Sequence, residues 1–316
     1  MSHHQVTMAK LYAISDLHLS YPLNASTWNL LQPKPPGSGL ILAGDIGESA
    51  THLTAAFERA KACFTHVFWV PGNHELYSIS SHMAKHPADQ LKGEAKYNAL
   101  VELAREHGVL TPEDDWMLWP GPDGVDVVIA LVFTLYDYSF RPAEVSREKA
   151  LEWAMEENIY ATDEAVLHPD PYGSRDEWCT KLCERWELKF SDYASRYPNS
   201  KFVIVNHWPL REDLVFIPKV PRFSLWCGTK RTQDWTEVGR FGADYGGALV
   251  VVSGHLHVRR TDVKEGVRYE EVSLGYPRHW EKARDASKGA NEMLREILPG
   301  AGIVVEEGQR IWRPQG

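Results

Sequence analysis

Cysteine is scarce in this sequence: Cys63, Cys179, Cys183 and Cys227 are the four in 316 residues, and none belongs to a CxxC pair. That excludes a disulfide-stapled scaffold and a cysteine-ligated zinc module. Cys179 and Cys183 fall on one face of a helical stretch, where a redox pair is the alternative to burial. Free cysteine packs as a small hydrophobe, so core positions are the preferred reading. Long apolar runs are absent too. Nothing approaches the roughly 18 apolar residues of a membrane span, and Met1–Lys10 lacks the apolar stretch of a secretory signal, so the expectation is a cytoplasmic protein with no membrane partner. Basic charge is also short: 34 Lys and Arg face 43 Asp and Glu, for a net charge of −9. A partner held through many phosphate contacts, nucleic acid above all, is therefore disfavoured. No internal repeat or low-complexity linker interrupts the chain.

Core material is plentiful, since hydrophobic residues make up 43% and include twelve Trp and thirteen Tyr. That is enough to argue against disorder and for a globular α/β chain. One domain is expected over 1–316, with a core at about 10–280, insertions at about 76–119 and 141–173, and an extension at 281–316. Leu11–Ile14, Leu40–Ala43 and Val67–Val70 are short apolar runs ending at polar residues, as buried strands do. Between the second and third, Ser49–Cys63 reads as a helix with Leu53, Ala56, Phe57 and Ala60 at helical spacing and Ser49 or Thr51 as its cap. Val125–Val132, Phe202–Val205, Leu249–Val252 and Arg268–Ser273 read as further strands. Asp176–Tyr197 is an amphipathic helix stopped by Pro198. The two insertions read as partly helical segments flanking a site. The tail from Glu281 reads as loosely packed, with a last strand-like run at Ile303–Val305.

The polar residues that follow these strands carry the chemistry. Asp16-Leu17-His18, Gly44-Asp45, Gly72-Asn73-His74-Glu75, Asn206-His207 and Gly254-His255-Leu256-His257 each close an apolar run. Open α/β sheets bind ligands at the carboxyl ends of their strands. Delivering Asp16, His18, Asp45, Asn73, His207, His255 and His257 to one edge makes a mixed imidazole and oxygen donor set suited to first-row divalent metals. Two metals are needed to use all seven. Gly44, Gly72 and Gly254 precede ligands where the main chain has to approach closely.

In this order, D-x-H, G-D, G-N-H-E, N-H and G-H-x-H resemble the motif blocks of the calcineurin-like metallophosphoesterase superfamily. The resemblance implies a β-sandwich of mixed sheets flanked by helices, with the metal site at strand carboxyl ends. It also implies that Asp16, His18 and His257 hold one metal, Asn73, His207 and His255 the second, and Asp45 bridges them. Asp45 and His74 would be the catalytic residues: His74, oriented by Glu75, would protonate the leaving group while a metal-bridging hydroxide attacks phosphorus in line. The donor set suits manganese, iron or zinc, with manganese and iron favoured. Gly44-Asp45-Ile46-Gly47-Glu48 departs from the Arg-Gly ending usual in Ser/Thr protein phosphatases.

Four further segments, Tyr136–Phe140, Ala161–Glu164, Phe223–Thr229 and Glu271–Arg278, resemble the actinobacterial phosphopantetheinyl hydrolases of that superfamily. Such enzymes cleave the phosphodiester joining 4′-phosphopantetheine to a serine of acyl carrier protein, which becomes the expected partner. The alternatives are a nucleotide or phosphorylated small metabolite as substrate, and a non-catalytic scaffold. Lys219–Arg231 holds Lys219, Arg222, Lys230 and Arg231 with no acidic residue, a local basic patch suited to steering an acidic partner. Arg222, Trp226 and Lys230 are accordingly candidate substrate-binding residues, with an ordinary surface loop, and core packing for Phe223, Trp226 and Trp235, as the competing readings. His52, His66, His82, His86, His107, His168 and His279 match no block and read as surface or structural, and His3 and His4 as part of a disordered terminus.

Overall fold

The structure is a computed structural model and describes residues 9–122, 124–282, 286–300 and 306–314; His3, His4 and the Ile303–Val305 run lie outside them. The first half is built from β1 (Leu11–Ile14), α1 (Pro22–Asn29), β2 (Gly39–Ala43), α2 (Ala50–Cys63), β3 (His66–Val70), α3 (Asn73–Leu76), α4 (Gly93–Glu106), β4 (Met117–Pro120) and β5 (Asp126–Leu131). Then follow α5 (Ala150–Met155), α6 (Asp163–Val166), α7 (Arg175–Arg196), β6 (Phe202–Val205), β7 (Ala248–Ser253), β8 (Arg259–Lys264), β9 (Val267–Val272), α8 (Pro277–Trp280), β10 (Arg295–Leu298) and β11 (Arg310–Trp312). Two mixed sheets result. One runs β10-β1-β2-β3 and the other β11-β8-β9-β7-β6-β5-β4.

The apolar runs become buried strands because both of their faces are covered. β1, β2 and β3 pair in parallel, as do β5, β6, β7 and β9. Helix α2 makes the crossover between β2 and β3. Ser49 starts it by accepting from the His52 amide, and Leu53, Ala56, Phe57 and Ala60 pack inward. On α7, Trp178, Leu182, Trp186, Phe190 and Tyr193 turn inward, and Trp186 donates to the Phe133 carbonyl at 2.6 Å. One continuous apolar core reaches from Leu11 to Leu298. All four cysteines are free and buried, and no helix among the described residues is long and apolar enough to cross a membrane.

Several elements depart from the sequence reading. The described parts of the tail are packed: β10 closes the edge of the first sheet against β1, and β11 closes the second against β8. Strand β8, with the polar sequence Arg-Arg-Thr-Asp-Val-Lys, is not among the strands expected from the sequence, and its Arg259 to Asp262 are buried. Ion pairs make that possible, with Arg260 on Asp262, and Arg295 and Arg313 converging on Glu270 of β9. Glu265 and Gly266, both at positive φ, make the two-residue turn joining β8 to β9, which suits the twist of a tight hairpin. The 76–119 stretch contributes an edge strand, β4, as well as a helix. From 141–173, Tyr160 to Asp163 reach the pocket described next.

Candidate metal centre

The parallel strands β1, β2, β3, β6 and β7 end at one edge, where their loops interlock. Asp16 N donates to the Gly44 carbonyl, His18 N to the Asp45 carbonyl and Gly254 N to the His207 carbonyl. A parallel bridge between Ser15 and Ser273 joins the two sheets beside them. The turns are tight because the glycines leave no space for more. A Cβ on Gly72 would lie 2.2 Å from Asp45 Oδ1, and one on Gly44, at φ +86°, would lie 2.5 Å from His207 Nδ1.

Two donor clusters that share a residue form there, beside a third grouping of His18, Glu48 and His74. Ligand atoms of Asp16, His18, Asp45 and His257 lie within 4.8 Å of one another, as do those of Asp45, His207 and His255. Asp45 belongs to both. Asn73 lines the same pocket, and its Oδ1 is buried without a hydrogen-bond partner. The arrangement is poor as a hydrogen-bond network and good as a coordination shell. His18 Nε2 and His257 Nε2 face each other at 3.0 Å. His207 Nδ1–H donates to the Ala43 carbonyl, which leaves Nε2 aimed at Asp45 Oδ1 at 3.5 Å. His207 Nε2 and His255 Nε2 are buried without a hydrogen-bond partner. Orphaned buried nitrogens beside carboxylates demand a proton or a cation between them. The residues present therefore fit divalent metal ions.

The protonation pattern says the same. Burial opposes charge on His207, but Asp45 outweighs it and holds its pKa up at about 10. Burial and neighbouring imidazoles push His18 and His255 down to about 3. Asp45, despite burial, is held well below the usual carboxylate range by His207 and His74. Asp16 is likewise lowered: burial works against it, while His257 stabilises its anion. Its Oδ2 also accepts from Ser273 Oγ at 2.7 Å.

His74 stands at the edge of this centre. Its Nε2 is 3.9 Å from Asp45 Oδ2, and its Nδ1 is 3.0 Å from Glu48 Oε1. Burial disfavours its charge, yet Asp45 and Glu48 hold its pKa up at about 9. The Glu75 carboxylate is not the hydrogen-bond partner of the His74 ring. It accepts instead from the backbone amides of Gly72, Asp45 and Ile46, at 2.8, 3.0 and 2.7 Å, so it staples the two ligand turns together. The partner that orients His74 is Glu48. Its position three residues after Asp45, on the same turn, was a signal available in the sequence.

The pocket over the centre has a volume of about 440 Å³ and is lined by Asp45, Asn73, His74, His255 and His257 on its floor. Tyr160, Ile217, Val220 and Phe223 make up its apolar wall, and Tyr276, Arg278 and His279 line it as well. The Tyr276 ring centroid lies 4.5 Å from those of both His18 and His257. His279, read from the sequence as surface or structural, lies beside His257 with centroids 5.4 Å apart. Tyr276 and Asp163 fall in segments singled out in the sequence; Tyr77, which lines the pocket too, had no such signal.

The candidate substrate-binding residues lie elsewhere. Trp226 is fully buried and donates Nε1–H to Glu164 Oε1 at 2.7 Å, so its ring packs in the core rather than against a substrate. Trp235 is likewise fully buried. Arg222 and Lys230 line a separate hollow. Arg222 pairs with Glu156 and Glu157, and Lys230 with Glu212. The basic patch seen in sequence is thus opposed by carboxylates brought in from the residues just after α5 and from the 212–214 turn.

Comparison with known proteins agrees with this geometry. The model of the calcineurin-like phosphoesterase family matches residues 9–259. The chain is 38% identical over 290 residues to the [acyl-carrier-protein] phosphodiesterase PptH of Mycobacterium tuberculosis, covering 92% of this chain and 83% of that protein. It is also similar to the crystal structure of the phosphopantetheinyl hydrolase PptH from Mycobacterium tuberculosis, with a TM-score of 0.81 and 36% identity over 95% of this chain and 99% of that one. With its motif blocks, its paired sheets and its shared-carboxylate donor clusters, the chain belongs to the calcineurin-like phosphoesterase family.

Proposed function

We propose that the protein hydrolyses the phosphodiester between 4′-phosphopantetheine and the serine of an acyl carrier protein, using two divalent cations. Asp16, His18, Asp45 and His257 would hold one cation, and Asp45, Asn73, His207 and His255 the other. Imidazole nitrogens mixed with carboxylate and amide oxygens suit manganese or iron, and also zinc. When bound, the pair supplies positive charge against the phosphoryl oxygens and activates the attacking water.

The chain's own residues supply the rest. Water adds its oxygen to phosphorus as the bond from phosphorus to the serine oxygen breaks, and that oxygen needs a proton to leave as a hydroxyl. His74 would give it, held protonated and oriented by Glu48. The carrier then ends with a free serine, and the arm leaves as 4′-phosphopantetheine. The apolar wall of Tyr160, Ile217, Val220 and Phe223 is the side suited to the methyl-bearing arm, because exposed apolar side chains clustered in a cleft gain from being covered.

The observation that carries the reading is the juxtaposition, in one pocket, of the two donor clusters, His74 with its own carboxylate, and that wall. Similarity to the carrier-protein phosphodiesterase over nine-tenths of the chain supports the choice of substrate. Intact-protein mass spectrometry of a holo carrier protein incubated with the enzyme and Mn²⁺, with a small chromogenic diester alongside, tests it. Loss of the phosphopantetheine mass is the expected result. An untouched carrier with a cleaved small diester keeps the chemistry and refutes the substrate.

A further inference from the structure

The amide of Asn73 is gripped by two side chains outside the motif blocks. Its Nδ2 donates to Asp163 Oδ1 at 2.9 Å and to the Tyr77 hydroxyl oxygen at 2.8 Å. The Tyr77 hydroxyl in turn donates to the same Asp163 oxygen at 2.6 Å. All three residues are buried. Asp163 Oδ1 accepts here, and the Tyr77 oxygen, whose own hydrogen goes to Asp163, accepts too, so it is the NH₂ end of Asn73 that faces this pair. The carbonyl end is thereby turned the other way, where Oδ1 has no hydrogen-bond partner.

Asp163 is itself well anchored. Arg175 donates through one Nη to the Asp163 carbonyl at 2.8 Å and through the other to Glu164 Oε2 at 2.9 Å. Glu164 also accepts from Trp226, so helix α6 is fixed between α7 and the segment that carries Phe223. This gives the 141–173 insertion a task that its composition does not reveal.

We propose that Asp163, assisted by Tyr77, is a positioning residue: it locks the Asn73 amide so that its oxygen, and never its NH₂, meets the cation held with Asp45, His207 and His255. The inference rests on the ligand set proposed above. An asparagine amide is nearly symmetrical in shape, and rotating it by half a turn presents two N–H bonds to a cation. Groups that fix a ligand's orientation commonly contribute about 10–100-fold in metal affinity.

The test is titration of Mn²⁺ into the metal-free full-length chain by calorimetry, with circular dichroism as the check of folding. Wild type is expected to take up two ions. Asp163→Ala should keep one at wild-type affinity and bind the other about 10–100-fold more weakly. Asp163→Asn keeps an oxygen that can accept from Asn73 and should recover most of the loss. A folded Asp163→Ala that binds both ions as wild type does overturns the proposal. So does an Asp163→Asn as weak as the alanine variant, since charge rather than orientation would then be at work. If Asp163→Ala does not fold, Tyr77→Phe decides: selective weakening of one ion supports the lock, and unchanged binding overturns it. Asn73→Ala separates the two levels. If it leaves both ions unaffected, the ligand set itself is wrong. If it weakens one while Asp163→Ala does not, only the positioning role falls.

Discussion

Replacing Glu48 by Gln removes the charge that faces His74 Nδ1 while keeping the size of the side chain. Both groups are largely shielded, and the contact is 3.0 Å. A hydrogen bond with one ionised partner is worth about 1.5–3 kcal/mol, and one pKa unit corresponds to about 1.4 kcal/mol, so the His74 pKa should fall by about 1–2 units. The sign follows from the role. His74 acts only while protonated, so turnover declines as pH rises through its pKa. Glu48 favours the protonated form and holds that pKa up; without it, the alkaline limb moves to lower pH. Asp45 also holds His74 up in the metal-free chain, but cations on Asp45 would offset that pull and leave Glu48 as the partner that matters. The assay is a pH profile of kcat on a small diester at saturating Mn²⁺, wild type against Glu48→Gln. An alkaline limb that stays in place, or moves up, refutes the assignment of His74 as the acid oriented by Glu48.

Three further outcomes are expected of the same molecule. Because His207 is held at about 10 while His18 and His255 are pushed down to about 3, adding Mn²⁺ to the metal-free chain near pH 7 should release about one proton, that of His207 Nε2. Calorimetry in buffers of different ionisation enthalpy measures this, and no buffer dependence contradicts it. Gly72→Ala puts a Cβ 2.2 Å from Asp45 Oδ1 at an ordinary φ. The chain should fold, but the displaced shared ligand should lower turnover roughly 100-fold, as for a displacement of about 1 Å at a reacting centre. Phe190, stacked on Phe241 with centroids 4.5 Å apart and fully buried, anchors α7 far from the pocket. Phe190→Ala should cost about 3–5 kcal/mol in denaturant unfolding and leave KM unchanged.

What the sequence made legible was whatever obeys a simple period or a fixed motif. Leu40–Ala43 and Phe202–Val205 are apolar throughout because both faces are covered, and the structure has strands there. The ligand motifs were visible because each sits directly after such a run. β8 was not, because its burial depends on Asp262 and Glu270 being paired with arginines up to 48 residues away, which no local pattern encodes. The same limit misassigned the basic segment. Arg222 and Lys230 have no acidic neighbour in sequence, yet Glu156, Glu157 and Glu212 meet them in space. Glu75 was given the wrong partner for a related reason: adjacency to His74 suggested contact, but on the short helix α3 its side chain turns back to the amides of β2's loop.

Five of the proposed ligands, Asp16, His18, Asp45, His255 and His257, have positive φ, between 43° and 74°. Non-glycine residues in that region are uncommon, and each costs of order 1–3 kcal/mol unless its surroundings hold it there. Here the surroundings do so through the interlocked amides and the Glu75 carboxylate. Strain on five ligands, together with the orphaned Nε2 atoms of His207 and His255, means that the metal-free chain carries an unfavourable arrangement which cations would relieve. Binding to the folded state alone also stabilises by mass action, about 2.7 kcal/mol at a concentration 100 times Kd. Saturating Mn²⁺ should therefore raise the melting temperature by several degrees, and the rise should shrink in Asp45→Asn, whose carboxamide cannot serve both clusters as an anion. A melting temperature that does not respond to Mn²⁺ in the wild-type chain would mean that these turns are held by the protein alone, and that their shape is no record of a metal.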